Sequence, residues 1–199
     1  MRITAIFESW HIADGNYPPL HRGQDVNLSF EMETSDVSPS LTSEPSLMND
    51  GGAQYRFVGI VLRVYNDDGS DAITVIEIAG FRFYINRSFG CRVGDWVQGS
   101  GKLLLDHYIW VEFLDKYKDP PDLFYQLRVE RIHTVKIPEP FIKRHSGGKS
   151  LPCSLTLSDY DTSDLREIET MEGQASDEEF YLLDLADEGL ADPVPRTFI

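Results

Sequence analysis

The sequence predicts an all-β fold, and three observations lead to that prediction. Short runs of alternating apolar and polar residues recur along residues 2–137, as at Phe81, Phe83 and Ile85. Turn-forming residues cluster between these runs, and Asp67-Asp68-Gly69-Ser70 is a strong hairpin signal. No long segment with the 3.6-residue period of a helix appears before residue 160. The 199 residues therefore suit one β domain with appendages.

The N-terminal part of the chain predicts two strands and a loop. The strands are expected at Arg2–Ile12 and Asp25–Glu33, within an N-terminal β segment (residues 1–33) that packs on the rest. Residues 34–53 are rich in Ser, Pro and Gly and hold few large apolar side chains, which is typical of a flexible loop. Loops of this length are uncommon inside a compact domain, so we expect a lid or a boundary there.

Residues 54–145 predict a small β-barrel. Strands are expected at 57–65, 72–79, 81–85, 93–105, 108–114 and 123–137. The apolar phase switches within residues 72–79, which predicts either a bulge or a strand buried on both faces. Gly99 and Gly101 stand where a strand at a barrel corner bends.

Two glycine motifs carry a resemblance to a known fold. Val58-Gly59-x-Val61 comes early, and Gly94-Asp95-x-Val97-x-Gly99 follows later. This arrangement resembles the oligonucleotide/oligosaccharide-binding (OB) barrel over about residues 55–137. The resemblance implies a closed barrel of five strands, a fold that hosts many unrelated ligands. One departure is that Arg87–Arg92 replaces the helix usual between the third and fourth strands.

Charge is distributed unevenly along the chain. Residues 1–150 carry 20 acidic and 16 basic side chains, whereas residues 151–199 carry 13 acidic and 2 basic ones, a net charge of −11. Such asymmetry is typical of an interaction region. The acidic C-terminal region, residues 146–199, also predicts a short helix at about 177–188, because Ser176 is a good N-cap and Gly189 stands at a C-cap position.

The leading functional prediction is a non-catalytic protein that docks on a basic partner. The acidic region is similar to the acidic patches of small bacterial immunity proteins and nuclease inhibitors. Apolar residues of the predicted helix would supply a buried anchor, and its carboxylates would supply steering charge. A purely solubilising disordered tail is the competing interpretation, but it normally lacks such apolar density. The expected contact residues are Glu178, Glu179, Phe180, Tyr181, Leu182, Asp184, Leu185, Asp187 and Glu188.

The alternative prediction is single-stranded nucleic-acid binding by the barrel. A barrel joined to an acidic tail is similar to the layout of some single-strand-binding proteins, and OB barrels bind single strands through aromatic and cationic side chains. Residues 54–145 hold 13 basic and 12 acidic side chains, so no net positive field favours this alternative over an ordinary solvated face. The candidate residues are Arg56, Arg63, Arg82, Tyr84, Arg87, Phe89 and Arg92.

We expect no catalytic, metal or cofactor site. The five histidines show no metal-ligand spacing and there is no Cys-x-x-Cys motif, while Cys91 has no identified base. An enzyme with a cleft beneath residues 34–53 remains the third and least supported alternative. Two cysteines make no disulfide framework, and neither a signal peptide nor a membrane span is apparent. These features predict a cytoplasmic protein of bacterial origin.

Overall fold

The structure is a computed structural model. It describes residues 1–13, 15, 17–65, 72–106, 121–136, 143–145, 148–150, 165–171 and 179–187. Within these ranges the fold is all-β, with one short helix, α1 (Trp10–Ala13). The strands are β1 (Arg2–Glu8), β2 (Asp25–Pro39), β3 (Ser46–Gly51), β4 (Gln54–Tyr65), β5 (Ile73–Ile78), β6 (Phe81–Ile85), β7 (Trp96–Asp106), β8 (Tyr125–Lys136), β9 (Lys143–His145), β10 (Gly148–Ser150), β11 (Arg166–Ile168) and β12 (Glu179–Ala186). No helix in the described ranges has the length and apolar character that a membrane span needs.

All strands except β9 and β10 form one sheet that closes into a ring of strands. β2 and β7 pair antiparallel along most of their length and form a central ribbon. At one end of the ribbon, β8, β12 and β1 connect the start of β2 back to the end of β7. At the other end, β6, β5 and β4 connect β2 back to the start of β7. The ribbon therefore belongs to both closures.

Each closure contains one narrow seam. β1 meets β7 through the single parallel pair Ile6–Leu104, and β2 meets β6 through the single parallel pair Glu31–Tyr84. Leu104 also lies opposite Glu31, so these four residues form one row across the sheet. Few backbone pairs join the strands at these seams, so side-chain contacts there matter for closure.

One hydrophobic core fills the inside of the ring, with Phe7, Phe30, Phe57 and Phe83 each at most 2% exposed. Two smaller clusters lie on the opposite faces of some strands. At the end of the ring near β6 and β7, Phe89 packs against the main core. The segment between β6 and β7 thus contributes an aromatic side chain to the core.

The N-terminal segment supplies strands of the ring itself and does not pack against the ring from outside. The resemblance predicted closure within residues 55–137, with the last strand at 123–137. In the structure β2 instead lies between β6 and β7 and completes the ring around β4 and β5. β8 does form where a strand was predicted, but it pairs with β2, β11 and β12. The predicted strand at 108–114 and the turn at 67–70 lie outside the described residues.

The flexible loop predicted at residues 34–53 is wrong. β2 continues to Pro39, and β3 occupies Ser46–Gly51. The Ser-rich composition reflects an exposed sheet face, while Val37 and Leu47 pack inward against the main core. The spacing of inward and outward residues is thus that of strands, although most outward residues are small and polar.

The helix predicted at about 177–188 is also wrong where the structure describes it. Residues 179–186 form β12, which pairs with β1 on one side and with β8 on the other. Phe180 and Leu182 are buried in one cluster, and Tyr181 and Leu183 are buried on the opposite face in the main core. A strand that is buried on both faces has a continuous run of apolar residues instead of an alternating pattern. Because this run has helix-capping residues near its ends, the sequence pattern predicted a helix instead of a strand. At the start of the acidic C-terminal region, Gly148–Ser150 pairs with Lys143–His145.

Close approach of β2 and β7 depends on glycine. A Cβ at Gly99 would collide with the carbonyl oxygen of Asp36 and lie 2.9 Å from Cζ of Phe57. A Cβ at Gly101 would lie 2.5 Å from the carbonyl oxygen of Glu33. These glycines therefore allow the two strands of the ribbon to pack closely. The sequence pattern alone indicates only a bend in the strand at these positions.

We expect Gly99→Ala to lower the free energy of unfolding by about 1–3 kcal/mol, because the methyl group meets backbone that cannot move without shifting β2. Urea denaturation of both proteins measures the change. Ser100→Ala is the matched control on the neighbouring outward residue, and we expect it to stay within about 0.5 kcal/mol of wild type. Equal stability of the Gly99→Ala variant and wild type would contradict the close approach.

We expect Phe180→Ala to lower the free energy of unfolding by about 3–5 kcal/mol, since Phe180 is 1% exposed. Leu165→Ala is the control in the same acidic region, because Leu165 is 38% exposed and should change stability little. Thermal and urea unfolding test both variants. A Phe180→Ala protein as stable as the control would show that β12 does not belong to the core.

Candidate functional site

An open groove of about 340 Å³ lies on the outer face of four neighbouring strands, β2, β7, β4 and β3. We call it the outer groove. Its lining residues are Asp36, Ser38, Ser46, Met48, Arg56, Phe57, Val58, Gln98, Gly99 and Ser100. Most of them are small or polar, and they come from segments far apart in the sequence.

Strand register explains why the lining residues meet. Ser100 lies opposite Asp36 on one side and opposite Arg56 on the other, and Arg56 lies opposite Met48. Directly opposed residues share one face of a sheet, so these residues form a row across the four strands. A second row, Ser38, Gln98, Val58 and Ser46, runs beside the first.

The arginine of the groove is held by a carboxylate of β3. Arg56 donates two hydrogen bonds to Asp50, from Nε to Oδ2 at 2.7 Å and from Nη2 to Oδ1 at 2.8 Å. These bonds lower the pKa of the Asp50 carboxyl and raise the pKa of Arg56. The bidentate geometry fixes the guanidinium plane and neutralises its charge locally.

Uncompensated negative charge remains around the groove. Residues 34–53 contain three acidic residues, Asp36, Glu44 and Asp50, and no basic residue. Asp50 is engaged with Arg56, whereas the described part of the chain provides no ion pair for the exposed Asp36 and Glu44. The surface thus favours a cationic ligand over an anionic one.

Two exposed apolar side chains lie on the strands of the groove or on the connection between them. Met48 is 47% exposed on β3, and Leu41 is fully exposed in the connection between β2 and β3. The one aromatic lining residue, Phe57, is 2% exposed, so its ring is not available for stacking. The groove therefore offers isolated apolar contacts and hydrogen-bonding groups without an aromatic platform.

Comparisons of this chain with protein-family models, with curated proteins and with solved structures found no match. What the outer groove does must therefore be argued from its geometry and chemistry.

The predicted partner-binding residues lie mostly inside the fold. Phe180, Tyr181, Leu182 and Leu185 are buried in β12, so they cannot serve as an exposed anchor. Asp184 accepts a hydrogen bond from Thr4 Oγ1 at 2.7 Å and pairs with Arg131 at 2.9 Å and with His133 at 3.6 Å. The structure describes the backbone of Glu179 and Asp187 at the two ends of this strand, and Asp187 N–H donates to the Met1 carbonyl at 2.9 Å. Glu178 and Glu188 lie outside the described residues.

The predicted nucleic-acid residues are not brought together as one stacking surface. Tyr84 is fully buried beside Leu123 and Phe124, and its hydroxyl donates to Glu31. Arg82 pairs with Glu77 at 2.7 Å, and Arg56 is held by Asp50. The prediction that Tyr84 contacts nucleic acid is therefore wrong, because its ring is buried.

The other four members of that set lie on β4 and on the segment between β6 and β7. Arg63, Arg87 and Arg92 are exposed. The Arg87 guanidinium stacks 5.8 Å from the centroid of the half-buried Phe89 ring. Among the residues that the structure describes, no group of three His, Cys, Asp or Glu side chains has the arrangement that a metal ion needs.

A partly buried carboxylate, that of Glu31, lies at the seam between β2 and β6. Tyr84 donates a hydrogen bond from its hydroxyl to Oε2 of Glu31 at 3.1 Å. The pKa of Glu31 is raised from 4.5 to about 7, first by burial and next by the nearby carboxylate of Asp106, while the Tyr84 hydrogen bond opposes the shift. Glu33 and Glu8 contribute in the same direction as Asp106. Glu31 therefore holds a proton at pH values where an exposed glutamate has lost it.

The raised pKa of Glu31 predicts a pH-dependent stability. The folded chain binds this proton more tightly than the unfolded chain. The contribution of the proton to the free energy of unfolding is therefore fully present below about pH 4.5 and is lost as the pH rises through about 7. At about 1.4 kcal/mol per pKa unit, the loss reaches at most about 3 kcal/mol. We expect Glu31→Gln, which still accepts the Tyr84 hydrogen bond, to gain stability relative to wild type at pH 8 but not at pH 4.

Urea denaturation across this pH range measures the difference between the two proteins. Glu130→Gln is the control, because Glu130 forms an exposed ion pair with Arg2 and takes no part in the seam. We expect the difference in the free energy of unfolding between Glu130→Gln and wild type to stay nearly constant with pH. If the difference between Glu31→Gln and wild type is also the same at every pH, the role of the Glu31 proton is refuted.

Proposed function

We propose that this protein is a non-catalytic binding module that captures a basic partner protein through the outer groove. This keeps the class of function that the sequence predicts and moves the contact from the C-terminal strand to the face of β2, β7, β4 and β3. The observation that carries the proposal is the exposed carboxylate of Asp36 in a groove whose arginine is already neutralised by Asp50.

Charge supports a basic partner. The formal net charge of the chain is −15, and residues 34–53 add local negative charge without a cation. A field of one sign raises the rate of association with a partner of the opposite sign, and complementary charges select against wrong partners. An inhibitor or immunity protein that masks a basic surface would act in this way.

The apolar residues beside the groove support a protein ligand. Met48 lines the groove with an exposed side chain, and Leu41 is exposed in the connection between β2 and β3. Methionine is enriched in protein interfaces, and apolar side chains that become desolvated there supply binding energy that a polar rim does not. Small-molecule sites are usually enclosed, whereas this groove is open.

Single-stranded nucleic acid fits this surface poorly. Its recognition combines stacking on aromatic side chains with a positively charged groove. The outer groove has no exposed aromatic ring among its lining residues, its one arginine is already paired with Asp50, and Tyr84 is buried. We therefore take protein binding as the proposed function.

We expect Asp36→Arg to weaken binding of cationic ligands at least about tenfold, because it replaces an attractive charge with a repulsive one. A phage library of random peptides selected on the immobilised full-length protein supplies the ligands. The selected peptides should be enriched in Lys and Arg, and their affinity for each variant is measured by fluorescence anisotropy at two salt concentrations.

Asp122→Arg is the matched control, since Asp122 is exposed and makes no ion pair with the described residues. It changes the net charge of the chain by the same amount without touching the groove lining. The proposal fails if the selected peptides carry no excess of cationic residues. It also fails if Asp36→Arg and Asp122→Arg weaken binding equally.

A further inference from the structure

Among the strands that the structure describes, β3 is an edge of the sheet. It is the last strand in the sheet order, and its partner among the described strands is β4. In an antiparallel pair, alternate residues direct their N–H and C=O groups to the partner strand while the others direct them away. Ser46–Asn49 pairs regularly with Val58–Tyr55, so two of these four residues point their backbone groups away from the sheet.

The two edges of the sheet differ in protection. β11, at the opposite edge, has three residues, and two of them are the exposed charged residues Arg166 and Glu167. Natural edge strands commonly avoid unwanted pairing by being short or by carrying charge. β3 instead begins with four consecutive uncharged residues, Ser46-Leu47-Met48-Asn49, and its Met48 side chain is exposed.

Features at the two ends of β3 limit the length that is available for pairing. Pro45 precedes the strand, and a register irregularity follows between Asn49 and Gly51. The regular edge is therefore the stretch Ser46–Asn49. A segment of this length can accept one short extended peptide.

We infer that a cationic, extended segment of the partner binds along β3 as an added strand. This inference rests on the proposed function, since it specifies how the basic partner is held. Backbone hydrogen bonds to β3 would supply affinity, and alternate side chains would supply specificity. Side chains of the added strand on the groove side would contact Met48, which favours an apolar residue at that position.

Charge distinguishes the partner segment from a second copy of this chain. Two copies at −15 each would repel, and the exposed carboxylate of Glu44, which has no ion pair among the described residues, comes just before the edge in the sequence. Lysine or arginine on the added strand would meet this carboxylate at the start of β3. The segment expected is thus alternating, with cationic residues beside apolar ones.

Strand addition and groove binding are separable by distance. Asp36 lies on β2, three strands away from β3, which is about 14 Å at the usual spacing between strands. A side chain of the added strand cannot reach Asp36, so a different part of the partner must contact it. Variants at Asp36 therefore test the proposed function, and the β3 backbone tests the added strand.

The experiment titrates the ¹⁵N-labelled full chain with a synthetic peptide of alternating Lys and Val residues and measures amide hydrogen exchange by NMR. We expect exchange to slow at two alternating amides within Ser46–Asn49, because these are the ones without a partner in the free sheet. Two control peptides carry N-methyl groups on one or the other alternate set of backbone nitrogens. One of them should lose at least tenfold in affinity and the other should keep it.

Met48→Lys and Leu41→Lys provide matched protein variants. Each replaces an exposed apolar side chain with lysine, but only Met48 lies on the edge strand. We expect Met48→Lys to abolish the exchange protection and Leu41→Lys to retain it.

Three results would overturn strand addition. The first is that the peptide binds without protecting any β3 amide. The second is that it binds equally well with either set of N-methyl groups, and the third is that it fails to bind at low salt. Each of these leaves the proposed function to be decided by the Asp36→Arg comparison.

Discussion

The antiparallel ribbon of β2 and β7 is the constraint on which the rest of the structure depends. Both closures of the ring begin and end on it, so its register fixes the position of every other strand in the large sheet. Gly99 and Gly101 allow that register, since a side chain at either position would meet the β2 backbone. The ribbon thus couples the N-terminal segment to the glycine motifs of the middle of the chain.

The same ribbon creates the outer groove. β2 and β7 present Asp36, Ser38, Gln98 and Ser100 outward, and β4 and β3 extend these rows. Because the inward residues of all four strands are held by the core, the outward residues occupy fixed positions on a rigid surface. Binding to such a preorganised face costs little conformational entropy. This supports the proposal that the groove captures a partner, with the unprotected edge of β3 beside it.

Sequence patterns predicted most of the strands but misassigned two segments for identifiable reasons. β6 and the β4–β5 pair lie where the sequence pattern predicted strands. Residues 34–53 combine small polar outward residues with only Val37 and Leu47 inward, so their alternation is faint. In β12 both faces are buried, which removes the alternation and leaves an apolar run with helix-like ends. The outer groove was missed partly for the first reason, because four of its ten lining residues, Asp36, Ser38, Ser46 and Met48, lie in the supposed loop.

The sequence by itself determined the all-β class, the positions of the middle strands and the acidic character of the chain. These properties follow from local periodicity and composition, which neighbouring residues carry. Only the tertiary structure decided that β2 completes the ring, that β12 lies inside it and that Asp36, Arg56 and Met48 share one face. Strand order and register depend on long-range pairing, and residues distant in sequence carry no local signal of which strand they will meet.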